Sequence, residues 1–184
     1  MNYTPETDGI DHINVYSKAK TDLGKFLSNF TYAKIKTQDG IFSSIEGYWY
    51  WLLSSDHPKH DCYECNATGT TVLDIGAQSY FGPCDLCNRE TLRYLSAAEA
   101  KKVGRIIAEK DRNKDTTFQN KIKKAIEYKI NNSTNIKNQF IKSTLPFTHY
   151  YIMYGNIIVP TTDLWVIEHI ESLRTSLVCK PTNP

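Results

Sequence analysis

The sequence predicts an α+β fold, mainly helical, in one domain with a small β-sheet. Three observations carry that expectation. Segments with apolar residues at helical spacing dominate the second half of the chain. Short alternating or β-branched runs, DHINVY and HYYIMYGNIIV, are too few for an all-β fold. At 184 residues the chain has a usual single-domain length and can bury a core without disulfides.

Residues 1–10 read as a loose terminus, and residues 11–16 as a short strand through Ile13 and Val15. A polar, glycine-containing stretch leads into Gly24–Phe30, GKFLSNF, read as a loop anchored by Phe26 and Phe30. Residues 32–36 suggest a second strand, closed by the turn signal Asp39-Gly40. A helix is expected from Ser43 or Ser44, because Ser43 and Glu46 have capping-box spacing. Its body, IEGYWYWLL, should bury at least one face, and His57-Pro58 should end it.

Residues 57–90 carry four of the five cysteines and no helical period. Ser96 and Glu99 form a second capping box, opening a helix with Ala100, Val103 and Ile107 as its apolar stripe. The next helix places Phe118, Ile122, Ala125, Ile126 and Ile130 on one face, with lysines opposite. A short helix is expected over 136–142. Two strands follow over 149–159, joined at Gly155-Asn156. The last helix should open near Thr162 or Asp163 and bury Val166, Ile170, Leu173 and Leu177.

Composition narrows the function classes. Hydrophobic content of 40% and aromatic content of 12% are globular values and do not suggest disorder. No apolar run approaches the roughly 20 residues of a membrane span. The start, MNYTPETDGIDH, lacks a basic n-region and an apolar h-region, so a cytoplasmic, reducing location is expected. Residues 101–142 hold twelve Lys or Arg against four Asp or Glu, a local surplus of eight on a chain of net charge +2. That stripe suits phosphates or nucleic acid; it equally suits the wet faces of amphipathic helices.

The cysteines give the strongest local signal. Cys62-x-x-Cys65 and Cys84-x-x-Cys87, separated by 18 residues, can bring four thiolates to one tetrahedral Zn²⁺. Four thiolates leave no open position, so the zinc would be structural. Four free thiols in a loop is the plainer alternative, and no thioredoxin-like pattern supports a redox pair. His57 and His60 lie close enough in sequence to replace a ligand, whereas Cys179 stands alone.

Two further positions invite chemistry. Glu46 sits beside Tyr48, Trp49 and Trp51, where partial desolvation would raise its pKa toward general acid–base use. As a capping-box residue it would instead bond back to the Ser43 amide. Ser28, Asn29 and Phe30 offer polar groups and a stacking face for a ring, or merely anchor a loop.

In order along the chain, Gly24–Phe30, the block Phe42-Ser43-Ser44-Ile45-Glu46-Gly47-Tyr48, the helix start AAEAKKVGR ending at Gly104-Arg105, and YYIMYG over 150–155 resemble the NADAR, or YbiA-like, family. The closing helix from Leu164 to Arg174 is similar too. The likeness spans nearly the whole chain except 57–91, which it marks as an insertion into a single NADAR-like domain over 1–184. The wording SIEGYWYWLL further resembles bacteriophage-encoded versions, which would place the protein in a host cytoplasm.

The resemblance implies an N-glycosidase, with riboflavin-pathway intermediates or ADP-ribosylated guanine in nucleic acid as substrates and no organic cofactor. It implies Glu46 as the catalytic carboxylate. Asn29 and Tyr154 would position ribose or phosphate, and Arg105 would face a diphosphate. Ser28, Phe30, Tyr48, Trp49, Tyr151 and Gly155 would complete the substrate contacts. Where some members have a lysine on the helix after the glutamate, this chain has Trp49-Tyr50-Trp51-Leu52-Leu53, leaving Lys36 as a substitute. Gly47 stands at a family histidine position. A binding module for ADP-ribose without cleavage, and a zinc-containing nucleic-acid-binding protein, are the rival readings.

Overall fold

The computed structural model describes residues 3–54, 62, 70–75, 78–84, 91–108 and 115–179. It has the expected mixed α/β class, about half helical, with four two-stranded sheets among the described residues. The chain divides into two compact units, Met1–Thr31 with Lys123–Pro184, and Tyr32–Ile122.

In the first unit, β1 (Ile13–Asn14) pairs parallel with β6 (Phe147–Thr148), Ile13 opposite Phe147. The strand is shorter than the predicted 11–16. Asn14 fixes the join: its amide group donates to the Tyr150 carbonyl at 3.0 Å and accepts from the Tyr150 N–H at 3.1 Å. Residues 22–27 are helical, not a loop. This helix, α1 (Asp22–Leu27), starts because the Thr21 hydroxyl accepts from the Gly24 N–H at 3.0 Å, and it buries Leu23 and Leu27.

The helix α4 (Thr116–Asn131) buries the predicted face of Phe118, Ile122, Ala125, Ile126 and Ile130 in full. Its residues from Lys123 onward belong to the first unit. There α5 (Thr134–Lys142) places Phe140 against Phe147, ring centroids 5.5 Å apart. The strands β7 (Tyr151–Met153) and β8 (Asn156–Ile158) form the expected hairpin. Its turn residues are Tyr154 and Gly155, both at positive φ, one position earlier than predicted. The helix α6 (Trp165–Val178) buries Ile170; Val166, Leu173 and Leu177 are only half-buried. Arg174 ties it down by donating to the Ser143 and Leu145 carbonyls at 3.0 and 2.6 Å.

In the second unit, β2 (Ile35–Thr37) and β3 (Gly40–Phe42) form a hairpin around the Asp39-Gly40 turn. The helix α2 (Ile45–Leu52) follows. Its N-cap is Ser44, whose hydroxyl accepts from the Gly47 N–H at 3.0 Å. The expected Ser43–Glu46 capping box does not form: the Ser43 N–H donates to the Arg93 carbonyl at 2.9 Å instead. The helix ends at Leu52, upstream of His57-Pro58, which lie outside the described residues.

Between α2 and α3 (Ala97–Ile107), the strands β4 (Thr70–Ile75) and β5 (Gln78–Pro83) pair antiparallel, a hairpin that the polar, cysteine-bearing sequence did not announce. The helix α3 opens with the predicted Ser96–Glu99 capping box. Its buried residues are Ala97, Ala100 and Gly104, while Val103 and Ile107 are half-buried. This small-residue face allows α2 to approach closely. A methyl group on Gly104 would lie within 2.5 Å of Tyr50 Cβ, Cγ and Cδ1.

Candidate active site

The approach of α2 to α3 brings a cluster of charged and phenolic side chains together in the second unit. Glu46 and Tyr50 stand four residues apart on α2; Lys101 and Arg105 stand four apart on α3. Such spacing puts each pair on one helix face. Glu46 is 8% exposed, and its Oε1 lies 3.5 Å from Lys101 Nζ. With the Ser43 amide engaged elsewhere, Glu46 is not a capping residue, and its carboxylate belongs to the helix–helix seam.

Burial raises the Glu46 pKa above the ordinary carboxylate value. The Lys101 ammonium and the Arg105 guanidinium oppose that rise without cancelling it. Tyr50 is also pushed up, first by burial and then by the Glu46 charge, against a hydrogen bond and the charge from Arg105. The result is a nearly buried carboxyl group with a raised pKa, beside two cations, one of them on an exposed residue. A group of this kind can accept a proton from water or steady a developing positive charge.

Lys101 escaped the sequence reading, although the signal was present: it lies one helical turn before Arg105 on the same stripe. Lys36, the expected substitute lysine, is exposed on β2. Among the described residues, the lysine within ion-pair reach of Glu46 is Lys101. A side-chain carbon on Gly47 would meet the Leu92 carbonyl at 3.0 Å, so local packing leaves little room there for a larger side chain.

The neighbouring aromatics serve the core of this unit. Tyr48 is fully buried, and its hydroxyl donates to Asp39 Oδ2 at 2.5 Å. Burial and the Asp39 carboxylate push its phenol pKa upward. Asp39 in turn pairs with Lys121 at 2.9 Å, and its backbone carbonyl accepts from Arg93. Trp49 packs edge-on against Phe118, centroids 4.8 Å apart. The Arg93 guanidinium lies 5.0 Å from the Phe42 ring centre and 4.9 Å from that of Trp51.

The remaining expected substrate residues lie in the first unit. Ser28 is buried at the end of α1; its hydroxyl accepts from the Phe30 N–H at 3.3 Å and its carbonyl from Lys129 at 2.7 Å. Asn29 and Phe30 are half-buried beside it. Lys129 is nearly inaccessible, 5.0 Å from the Phe26 ring centre, and burial pushes its pKa down to about 7. Sequence spacing had placed it merely on the face of α4. Tyr154 and Gly155 form the hairpin tip, where Tyr154 is 94% exposed.

Tyr151 lines a cavity of about 200 Å³ with Asp8, Asn14, Tyr16, Lys20 and Tyr150 among its walls. The YYIMYG block pointed to the Tyr150 and Tyr151 wall, whereas Asp8, Asn14, Tyr16 and Lys20 were not singled out from the sequence. Asp8 and Asn14 are engaged in structure: Asp8 accepts from the Asn14 and Lys20 backbone N–H groups at 2.9 and 2.7 Å.

Of the metal candidates, Cys62 and Cys84 are described. Both are buried, and their sulfurs lie 3.6 Å apart without a disulfide. Cys65 and Cys87 fall outside the described residues, as do His57 and His60. Cys179 is exposed after α6. No described helix is long and apolar enough to cross a membrane.

Comparison with known proteins places this arrangement in a structural class: a mixed α/β fold of the YbiA kind. The solved structure that shows it is the NMR structure of the E. coli protein YbiA, with a TM-score of 0.56 and 16% identity over 91% of this chain and 89% of that one. At that identity the likeness is one of fold. No family model matches the sequence, and no curated protein matches it.

Proposed function

We propose that the protein is an N-glycosidase that hydrolyses the ribose–nitrogen bond of an ADP-ribose-type or related nucleotide. ADP-ribosylated guanosine, free or in nucleic acid, and a riboflavin-pathway intermediate are the candidate substrates. One observation carries this reading: the buried Glu46 carboxyl, its pKa raised, set between Lys101 and Arg105. The YbiA-like fold supports it, because the sequence blocks that resemble the NADAR family include Glu46 and Arg105.

Cleavage of a ribose–nitrogen bond gathers positive charge on the ribose ring. Ionised Glu46 would face that charge and take a proton from the attacking water, while the base departs with the bond's electron pair. Lys101 holds the carboxylate in place and favours its ionised form. Arg105 is an exposed residue in the last turn of α3, and a guanidinium suits a diphosphate, which it can grip through two parallel N–H donors.

The test is release of guanine-containing product from ADP-ribosylated guanosine, followed by mass spectrometry, with wild type beside Glu46→Gln. The expected loss in the variant is about 10²–10⁴-fold, the usual worth of a positioned acid–base group. An equally active Glu46→Gln protein refutes the mechanism. Saturable binding with no base release by wild type makes the protein a binding module and ends the enzyme reading.

A further inference from the structure

The cysteine pair has no part in the chemistry proposed for Glu46, and its geometry stands independently of that reading. Cys84 directly follows Pro83, the last residue of β5, and Pro83 pairs with Thr70, the first residue of β4. The register therefore brings the chain entering the hairpin and the chain leaving it to the same end. Cys62, eight residues before β4, meets Cys84 there, sulfur to sulfur at 3.6 Å.

That separation selects among the possible pairings. A disulfide needs about 2.05 Å. Two thiolates on a tetrahedral Zn²⁺, each about 2.3 Å from the metal, stand about 3.8 Å apart. The separation therefore rules out a disulfide; it fits a thiol–thiol contact and, to within about 0.2 Å, the edge of a zinc tetrahedron. Burial adds a second argument. Cys62 and Cys84 are 1% and 0% exposed, and among the described residues they form a buried cluster of their own. Two small thiols alone provide little apolar area to close the end of a hairpin.

We propose that the base of the β4–β5 hairpin is a structural zinc site. Cys62 and Cys84 each come from a separate CxxC pair, and the third and fourth thiolates are assigned by sequence to the partners three residues on, Cys65 and Cys87. Binding of one Zn²⁺ by four thiols releases four protons and leaves a closed, doubly negative centre with no open position. The metal is thus a staple for the excursion between α2 and α3. It takes no part in hydrolysis.

The experiment uses the full chain purified under reducing conditions without chelator. Elemental analysis should find about one zinc per chain, the stoichiometry of a Cys₄ site. Replacement by Co²⁺ should give the intense visible spectrum of tetrahedral tetrathiolate cobalt. Cys62→Ser and Cys84→Ser should each lose metal, and Cys179→Ser should keep it. Because the serine variants can misfold, wild type is also titrated with an organomercurial, and zinc should leave in step with the modification of four thiols. Metal-free protein with freely reactive cysteines overturns the proposal. So does a cobalt spectrum of two-thiolate type, or a Cys62–Cys84 disulfide in the reduced preparation.

Discussion

Replacing Gly104 by alanine tests whether the α2–α3 seam is as tight as the geometry requires. In an exposed helix the change would stabilise the protein by about 1 kcal/mol, because glycine is the poorer helix former. Here the new methyl would sit within 2.5 Å of three Tyr50 carbons, against an ordinary contact of about 3.5–4.0 Å. One of the three is Cβ, which no side-chain rotation can move. Overpacking of this kind costs about 1–3 kcal/mol, and a clash with a backbone-anchored atom belongs at the upper end. The net expectation is a loss of about 2 kcal/mol, or roughly 4–8 °C in Tm for a chain of this size. Urea unfolding of the full chain measures it. In a Tyr50→Ala background two of the three clashing atoms are gone, so the penalty should shrink. A Gly104→Ala protein as stable as wild type, or an unchanged penalty without the Tyr50 ring, refutes the reasoning.

The other predictions concern charge and stacking. Since burial raises the Glu46 pKa in the folded state, its favourable contribution is present below the ordinary carboxylate pKa and is lost as pH rises through the folded value. Glu46→Gln should therefore be at least as stable as wild type at pH 7, with the advantage fading toward about pH 4; urea midpoints at the two pH values check this. Lys129 has the opposite sign: its folded pKa of about 7 lies below the ordinary 10.5, so wild-type stability should rise with pH between those values, by up to ~1.4 kcal/mol per unit. Lys129→Met should flatten that slope in a pH series, and an unchanged slope contradicts the assignment. Arg93→Lys loses the planar group stacked near Phe42 and Trp51, and should cost about 2 kcal/mol in chemical denaturation; a neutral result would show that the stacking contributes nothing.

Strong periodicity made α4 legible, because five apolar residues on one stripe have no other packing solution. The Ser96–Glu99 box was legible for a similar reason: a single serine precedes its helix, so the register is unique. At α2 two adjacent serines both fit a cap, and the S-x-x-E spacing favoured the wrong one. The Arg93 carbonyl, fifty residues away, occupies the Ser43 amide, and local sequence carries no trace of it. The helix α1 was missed because Thr21, Asp22 and Gly24 look like turn residues, yet Thr21 is the cap that starts it. For the site, the family-like blocks pointed to Glu46 and Arg105. Lys101 shares a stripe with Arg105, but its pairing with Glu46 became visible only once α3 packed on α2. The burial of Lys129 was hidden because a lysine on an amphipathic helix is ordinarily wet.

The parallel pairing of Ile13 with Phe147 joins residues 134 positions apart, and the contiguous stretch Tyr32–Ile122 lies wholly inside that span. Chain closure by β1 and β6 therefore has a kinetic dependence on what happens in between. If the inner stretch collapses first, the free chain to be closed drops from over 130 residues to roughly 40, saving about 1 kcal/mol of closure entropy. Order of assembly follows: the inner segment, which holds the local hairpins β2–β3 and β4–β5, should acquire protection from hydrogen exchange before the β1–β6 amides do. Weakening the inner segment would then slow the outer closure without touching a single residue that takes part in it.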